Sequence, residues 1–253
     1  MLVLERHLHS DDGSHQLVWK LEDGHMIESG IVPRESKQRK KQEPWTQAED
    51  EAGAIPAMDR YTACISSQCS ARNLTKQEII DQVRGLQKFK PISRVDFSGM
   101  GEPLLNIDAV IEAIRYFKSP RGLKLSKRKM GVHTTGDPVS ALLKLSETGV
   151  GLVLSVSEMP DSRQTEIMSA ALDYGAKVKQ TVLLEYKMIK GVNDTLLDQE
   201  RLYQFARDWD CKINLISNSE AIKEFQRSLV SRGINAVLPK RAFASANTIR
   251  APR

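Results

Sequence analysis

From Tyr61 onward the chain repeats one unit, a short run rich in Val, Ile and Leu followed by a longer stretch with helix-start and helix-stop residues. The runs are YTACISS, ISRVDFSG, KMGVHTT, GLVLSVS, KQTVLLEY, CKINLIS and INAVLP, each short enough for one buried strand. Between them, Thr75 and Glu78 form the two ends of a capping box, and Asp137-Pro138 caps and opens a helix that stops at Gly149. Asp161 opens another that stops at Gly175, and Ser217 with Glu220 forms a box for the last, which stops at Gly233. Such alternation argues for an α/β fold with a parallel sheet and crossover helices. With six or seven β/α units it points to an incomplete (β/α) barrel rather than a flat sheet. No G-x-G-x-x-G follows a strand, which counts against a dinucleotide fold. In a parallel barrel, ligands meet the C-terminal ends of the strands.

Ahead of the barrel, QLVWKLEDGHMIESGIVP holds two alternating runs around Asp23-Gly24, a strong hairpin signal. Residues 1–33 are therefore expected to form an N-terminal β-hairpin region, 34–58 a polar charged linker and 59–253 the barrel. The linker is basic at Arg34, Lys37, Arg39, Lys40 and Lys41, turns acidic from Glu49 to Glu51, and shows no hydrophobic period. Net charge is +5 with a pI near 9.0, compatible with an acidic partner and not diagnostic of one. Three irregularly spaced cysteines make no disulfide framework, and no apolar run is long enough to span a membrane. The first dozen residues carry acids and lack transit-peptide character, so the expected location is cytoplasmic, with an organelle not excluded.

The strand ends carry GMGEP (Gly99 to Pro103), HTTG (His133 to Gly136), SVS (Ser155 to Ser157), GVND (Gly191 to Asp194) and LISNS (Leu215 to Ser219). Small residues let a ligand approach the backbone, while Glu102, Asn193 and the hydroxyls can bond amino and ribose groups. Each motif is also ordinary turn chemistry. GMGEP is the exception, because an acid beside two glycines has no obvious turn role.

In the order LEDGHMIES, CISSQ, RNLTKQEI, GMGEPLLN, LSKRK, GVND, CKINLI the chain resembles the radical S-adenosylmethionine (SAM) methyltransferases that modify carbon 2 or carbon 8 of adenine in ribosomal RNA, one of which also acts on transfer RNA. The resemblance runs from about Gln16 to the C-terminus and implies an incomplete (β/α) barrel. It makes Gly101, Glu102 and Asn193 SAM contacts. It puts His133 where the family has a SAM-contacting Ser, and Ser155 to Ser157 where it has Ser-Leu-His. It makes Glu28 the proton acceptor and Cys64 the cysteine that resolves the RNA adduct. In that family a C-x-x-x-C-x-x-C loop follows C-x-S-S-Q and binds a four-iron four-sulfur cluster, whose free iron anchors the amino and carboxylate groups of SAM. Here CISSQ runs directly into CSARNLT, so Cys69 is the only remnant of that loop. His7, His9, His15 and His25 could substitute only if the hairpin folds over the barrel mouth. The family's methyl-carrying C-terminal cysteine has no counterpart after Cys211, with Arg250 near the aligned place. EMPDSRQTEIM and LISNSEAIKEF are also short of the family's loops.

The expectation is a non-catalytic relative that binds ribosomal RNA, transfer RNA or a ribosomal particle, as a monomer with no membrane contact. Its candidate phosphate contacts are Lys127, Arg128 and Lys129, together with Arg39, Lys40 and Lys41. No tightly bound cofactor is expected, SAM binding would be weak, and a cluster belongs to the first alternative. That alternative is an active methyltransferase with unconventional ligands or with segments missing from the sequence. A second is a SAM-binding sensor.

Overall fold

The computed structural model describes residues 2–34, 60–156, 162–209, 211–217 and 221–238. Among the described residues, ten strands form one sheet in chain order: β1 (Val3–His9), β2 (His15–Lys20), β3 (Met26–Arg34), β4 (Arg60–Ile65), β5 (Ile92–Phe97), β6 (Met130–Thr134), β7 (Gly151–Val156), β8 (Val182–Lys187), β9 (Cys211–Ile216) and β10 (Ala236–Val237). The pairs from β1 to β4 are antiparallel and those from β4 to β10 parallel. Parallel strands laid side by side in chain order, joined by crossovers of one hand, put every helix on the same face. The sheet then curls around its other face, and because β1 and β10 do not meet, the barrel is incomplete.

All seven sequence-expected strands form, as does the hairpin. Its turn holds Gly24 at φ 87° and closes through Leu21 N–H donating to His25 O at 2.8 Å. The added strand β1 is exposed along its whole length, so no burial pattern marks it in the sequence. β3 pairs directly with β4, which makes the N-terminal strands a continuation of the barrel sheet.

The helices are α1 (Lys76–Leu86), α2 (Ile107–Lys118), α3 (Val139–Leu145), α4 (Ser162–Val178), α5 (Leu196–Ala206) and α6 (Ile222–Ser231). The Thr75–Glu78 capping box is present, and a second box, Thr195 with Asp198, opens α5. Three helix ends differ from expectation. Pro138 is the N-cap of α3 without a side-chain cap bond, and Asp137 pairs with Arg163 instead. Helix α4 runs through Gly175 to Val178, because a Cβ there would come within 2.8 Å of Gln180 O and 2.9 Å of Val182 Cγ2, so glycine serves close helix–strand packing rather than a stop. Ala221, not Ser217, is the N-cap of α6. Asp161 and Glu220 lie outside the described residues.

Strand alternation sorts the two faces. Ala63, Ile65, Val95, Phe97, Val132, Leu154, Leu184 and Ile213 are buried against the helices in one apolar core. The alternate positions face the concave side: Thr62, Cys64, Arg94, Asp96, His133, Ser155, Glu185 and Asn214. A dry outer layer and a polar inner face follow from the period of two.

Candidate functional site

At the C-terminal ends of the parallel strands, the loop after β4 and the loop after β5 lock together. Ser67 N–H donates to Met100 O at 2.9 Å, Met100 N–H to Ser66 Oγ at 2.8 Å, and Glu102 N–H to Gln68 Oε1 at 2.8 Å. Gly99 and Gly101 permit this approach, since a Cβ would reach 2.6 Å from Ser66 Oγ at the first and 2.4 Å from Gln68 Cβ at the second, where φ is +89°.

Glu102 turns out to have a structural role. One carboxylate oxygen accepts from Leu104 N–H at 3.1 Å and from the Thr134 hydroxyl, the other from Thr135 N–H at 2.9 Å and Thr135 Oγ1 at 3.0 Å. The acid caps a short 3-10 turn and latches the end of β6. Asn193 is buried and similarly engaged, accepting from Ile189 N–H and donating to Lys187 O at 3.0 Å. His133 sits on the inner face of β6, with Nδ1 3.8 Å from Glu185 Oε2. Ser155 lies on β7 opposite Glu185 and lines a pocket with Thr135, Asp137, Arg163 and Phe205. Ser157 lies outside the described residues. Glu28, on the inner face of β3, accepts from Gln16 Nε2 at 3.0 Å, and its carbonyl accepts from the Ser66 hydroxyl. Glu28, Gly101, Glu102, His133, Ser155 and Asn193 therefore share the mouth end. Sequence reading missed Glu185, although a charged residue alternating with Leu184 and Tyr186 in KQTVLLEYK marks an inward position.

The three cysteines and five histidines of the sequence all fall within the described residues. Cys69 is 8% exposed and packs into the apolar core from the loop after β4. Cys64 lies on the inner face, where burial first, and then the charge of Asp96, push its thiol up to about 12. Cys211 faces the helix layer at the N-terminal end of β9. Three sulfurs placed in three surroundings do not fit one cluster, and no group of three His, Cys, Asp or Glu among the described residues can hold a metal ion.

The histidines do not repair this. His7 Nε2 and His15 Nδ1 lie 2.8 Å apart, and the His9 and His15 rings are 4.6 Å apart, but β2 begins at His15 where β3 approaches its end. That is the base of the barrel, opposite Cys69. His25 alone of the four stands at the mouth end, in the β2–β3 turn, whose Asp23 pairs with Arg72 of the Cys69 loop.

Lys127, Arg128 and Lys129 form an exposed turn immediately before β6, hence at the base as well. Four residue rises of about 3.3 Å separate them from His133, or about 13 Å. Arg39, Lys40 and Lys41 lie outside the described residues.

No family model matches the chain. A radical SAM methyltransferase from Sphaerobacter thermophilus superposes with a TM-score of 0.74 at 24% identity, over 94% of this chain and 76% of that one, and so shares the fold. The dual-specificity RNA methyltransferase RlmN of Geobacter sulfurreducens is 31% identical over 268 residues, covering 90% of this chain and 68% of the relative. The chain belongs to the RlmN family. RlmN of Geotalea uraniireducens is also 31% identical, over 83% of this chain and 63% of that protein, so the chain spans about two thirds of the length of such relatives. The match to the Geobacter RlmN extends over more positions than the 253 residues of the chain, so that relative carries residues inside the matched stretch that this chain lacks. No helix among the described residues is long and apolar enough to cross a membrane.

Proposed function

We propose that this RlmN-family chain is a non-catalytic member that binds RNA or a ribosomal particle, as a cytoplasmic monomer with weak SAM affinity at most. The observation that carries the reading is the burial of Cys69, the lone thiol of the mouth loop, in the apolar core, with Cys64 and Cys211 in other surroundings. In this reading Glu28 and Cys64 are vestigial catalytic positions. Gly101, Glu102, His133, Ser155, Ser157 and Asn193 line what remains of the SAM end. Residues 1–33 act as a sheet extension, 34–58 as a charged linker and 59–253 as the barrel. The acid that would meet SAM already accepts four internal hydrogen bonds, which supports retention of the fold without the chemistry.

Anaerobic reconstitution with iron and sulfide tests the proposal. The protein should retain less than about one iron per chain and show no broad visible absorbance. A four-iron stoichiometry lost in Cys69→Ala would establish a cluster site and make the chain a candidate enzyme.

A further inference from the structure

We propose that the base of the barrel, opposite the mouth, carries a phosphate-binding site built from Arg34, Arg60 and Arg94, with Lys127, Arg128 and Lys129 on its rim, and that its ligand is an RNA backbone. The inference rests on the RNA-binding reading above and assigns it a place.

Arg34 and Arg60 face each other in the last rung between β3 and β4, and Arg94 follows on β5 opposite Thr62. Alternation places all three on the inner face, on adjacent strands about 4.8 Å apart. Arg94 ties this row to the rim: its Nε donates to Asp96 at 2.8 Å, and another guanidinium N–H donates to Arg128 O at 3.3 Å. Asp96 is the carboxylate that acts on Arg34, and it is held by Arg94. Neither Arg34 nor Arg60 has an ion-pair partner among the described residues. Burial first, and then the neighbouring charges of Arg94 and Arg60, lower the Arg34 pKa against the pull of Asp96.

Two glycines lie beside the row. Gly131 and Gly151 are register partners on β6 and β7, next to Asp96. A Cβ at Gly131 would lie 2.6 Å from Asp96 Oδ1 and 2.7 Å from an Arg94 guanidinium nitrogen, so a side chain there would dislodge the pair. A Cβ at Gly151 would meet nothing closer than ordinary van der Waals distance, and bare backbone faces the concavity at that point. Guanidinium groups in a row match phosphate oxygens through paired N–H donors. The exposed cations of the Lys127–Lys129 turn extend the surface past the reach of a single phosphate, which favours a polyanion. Structured RNA is held largely through such backbone contacts. RNA seated there leaves the mouth facing away, which suits tethering rather than base modification.

The test titrates the full chain with a labelled ribosomal RNA hairpin transcript at several salt concentrations. The Arg34→Gln/Arg60→Gln double variant should bind at least about tenfold more weakly, with the slope of log affinity against log salt reduced by roughly two, one unit for each phosphate no longer neutralised. Arg34→Lys/Arg60→Lys should recover most of the affinity, and Lys223→Gln/Arg227→Gln, an equal charge change on exposed α6 positions, should leave slope and affinity nearly unchanged. Melting curves of the four proteins should coincide within a few degrees. If the parent binds and the Arg34/Arg60 double variant binds equally well, the site is wrong while the RNA reading stands. An α6 variant that loses as much shows net charge acting without a site. A parent with no salt-dependent RNA binding overturns both.

Discussion

His133 on β6 and Glu185 on β8 meet at 3.8 Å, Nδ1 to Oε2, across the strand that separates them. Strands two apart in a sheet are about 10 Å apart at 4.8 Å per step, and the two side chains bridge that gap by leaning toward each other over the concave inner face. The same concavity gathers Glu28, Cys64, Asp96, Ser155 and Asn214 on one polar face, while the opposite face is dry and covered by helices. The fold therefore preserves a polar cleft whether or not chemistry occurs in it.

Removing the Glu102 carboxylate should destabilise the protein. Glu102→Ala leaves Leu104 N–H, Thr135 N–H and two threonine hydroxyls without their acceptor, at a cost of about 2 kcal/mol for hydrogen bonds to a charged group. Urea unfolding should show a lower midpoint at unchanged slope. Stability equal to the parent would mean that water replaces the acid and that Glu102 is free for a ligand.

The thiols should be inert in the native protein. All three cysteines are buried, and with the Cys64 thiol raised to about 12 its thiolate fraction at pH 8 is on the order of one in ten thousand. A thiol-disulfide colour reagent at pH 8 should find no fast-reacting sulfur until guanidinium unfolds the chain. Rapid reaction of one thiol in the native protein, abolished in Cys69→Ala, would show that the mouth loop opens.

Most of the fold was legible because its strands alternate between a helix layer and a polar cleft, and because Gly24, Thr75 with Glu78, and Gly149 each set a local backbone event. What escaped depends on distant contacts. Strand β1 is exposed throughout and is held by pairing with β2, which leaves no apolar period to read. Gly175 looks like a stop until Val182 packs on it, and the internal partners of Glu102 appear only once the β6 end supplies Thr134 and Thr135. The basic turn before β6 was readable as charge. That it lies at the base, beside Arg94, follows only from strand direction and pairing.

Acid should loosen the junction between the hairpin turn and α1. Arg72 bridges Asp23 of the turn to Glu78 of the capping box, and holds the Glu78 pKa below its ordinary value of 4.5, with help from Thr75. Because the folded pKa is the lower one, the stabilisation is complete above about 4.5 and is lost as pH falls through the folded value. The pair is partly exposed, so its worth is about 0.5–1 kcal/mol. Glu78→Gln should be less stable than the parent at pH 6, and the difference should shrink by pH 3. Parallel urea midpoints at the two pH values, with no shrinkage, would remove Arg72 as the cause.

SAM affinity distinguishes a degenerate barrel from a sensor. The resemblance implies that cluster iron would anchor the amino and carboxylate groups of SAM, an anchor for which the described residues offer no ligand set. Losing an anchor worth about 4 kcal/mol moves affinity about a thousandfold, from micromolar toward millimolar, at about 1.4 kcal/mol per tenfold. The remaining polar contacts are partly occupied, since Glu102 is saturated by Leu104, Thr134 and Thr135, and Asn193 by Ile189 and Lys187. Calorimetry with SAM should therefore give a dissociation constant in the millimolar range or no heat. Glu102→Gln, which keeps the side chain's shape and one acceptor oxygen, should leave that result unchanged. Low-micromolar binding abolished in Glu102→Gln, with the melting temperature of the variant preserved, would show that the carboxylate exchanges its internal partners for SAM and would make the sensor the better account.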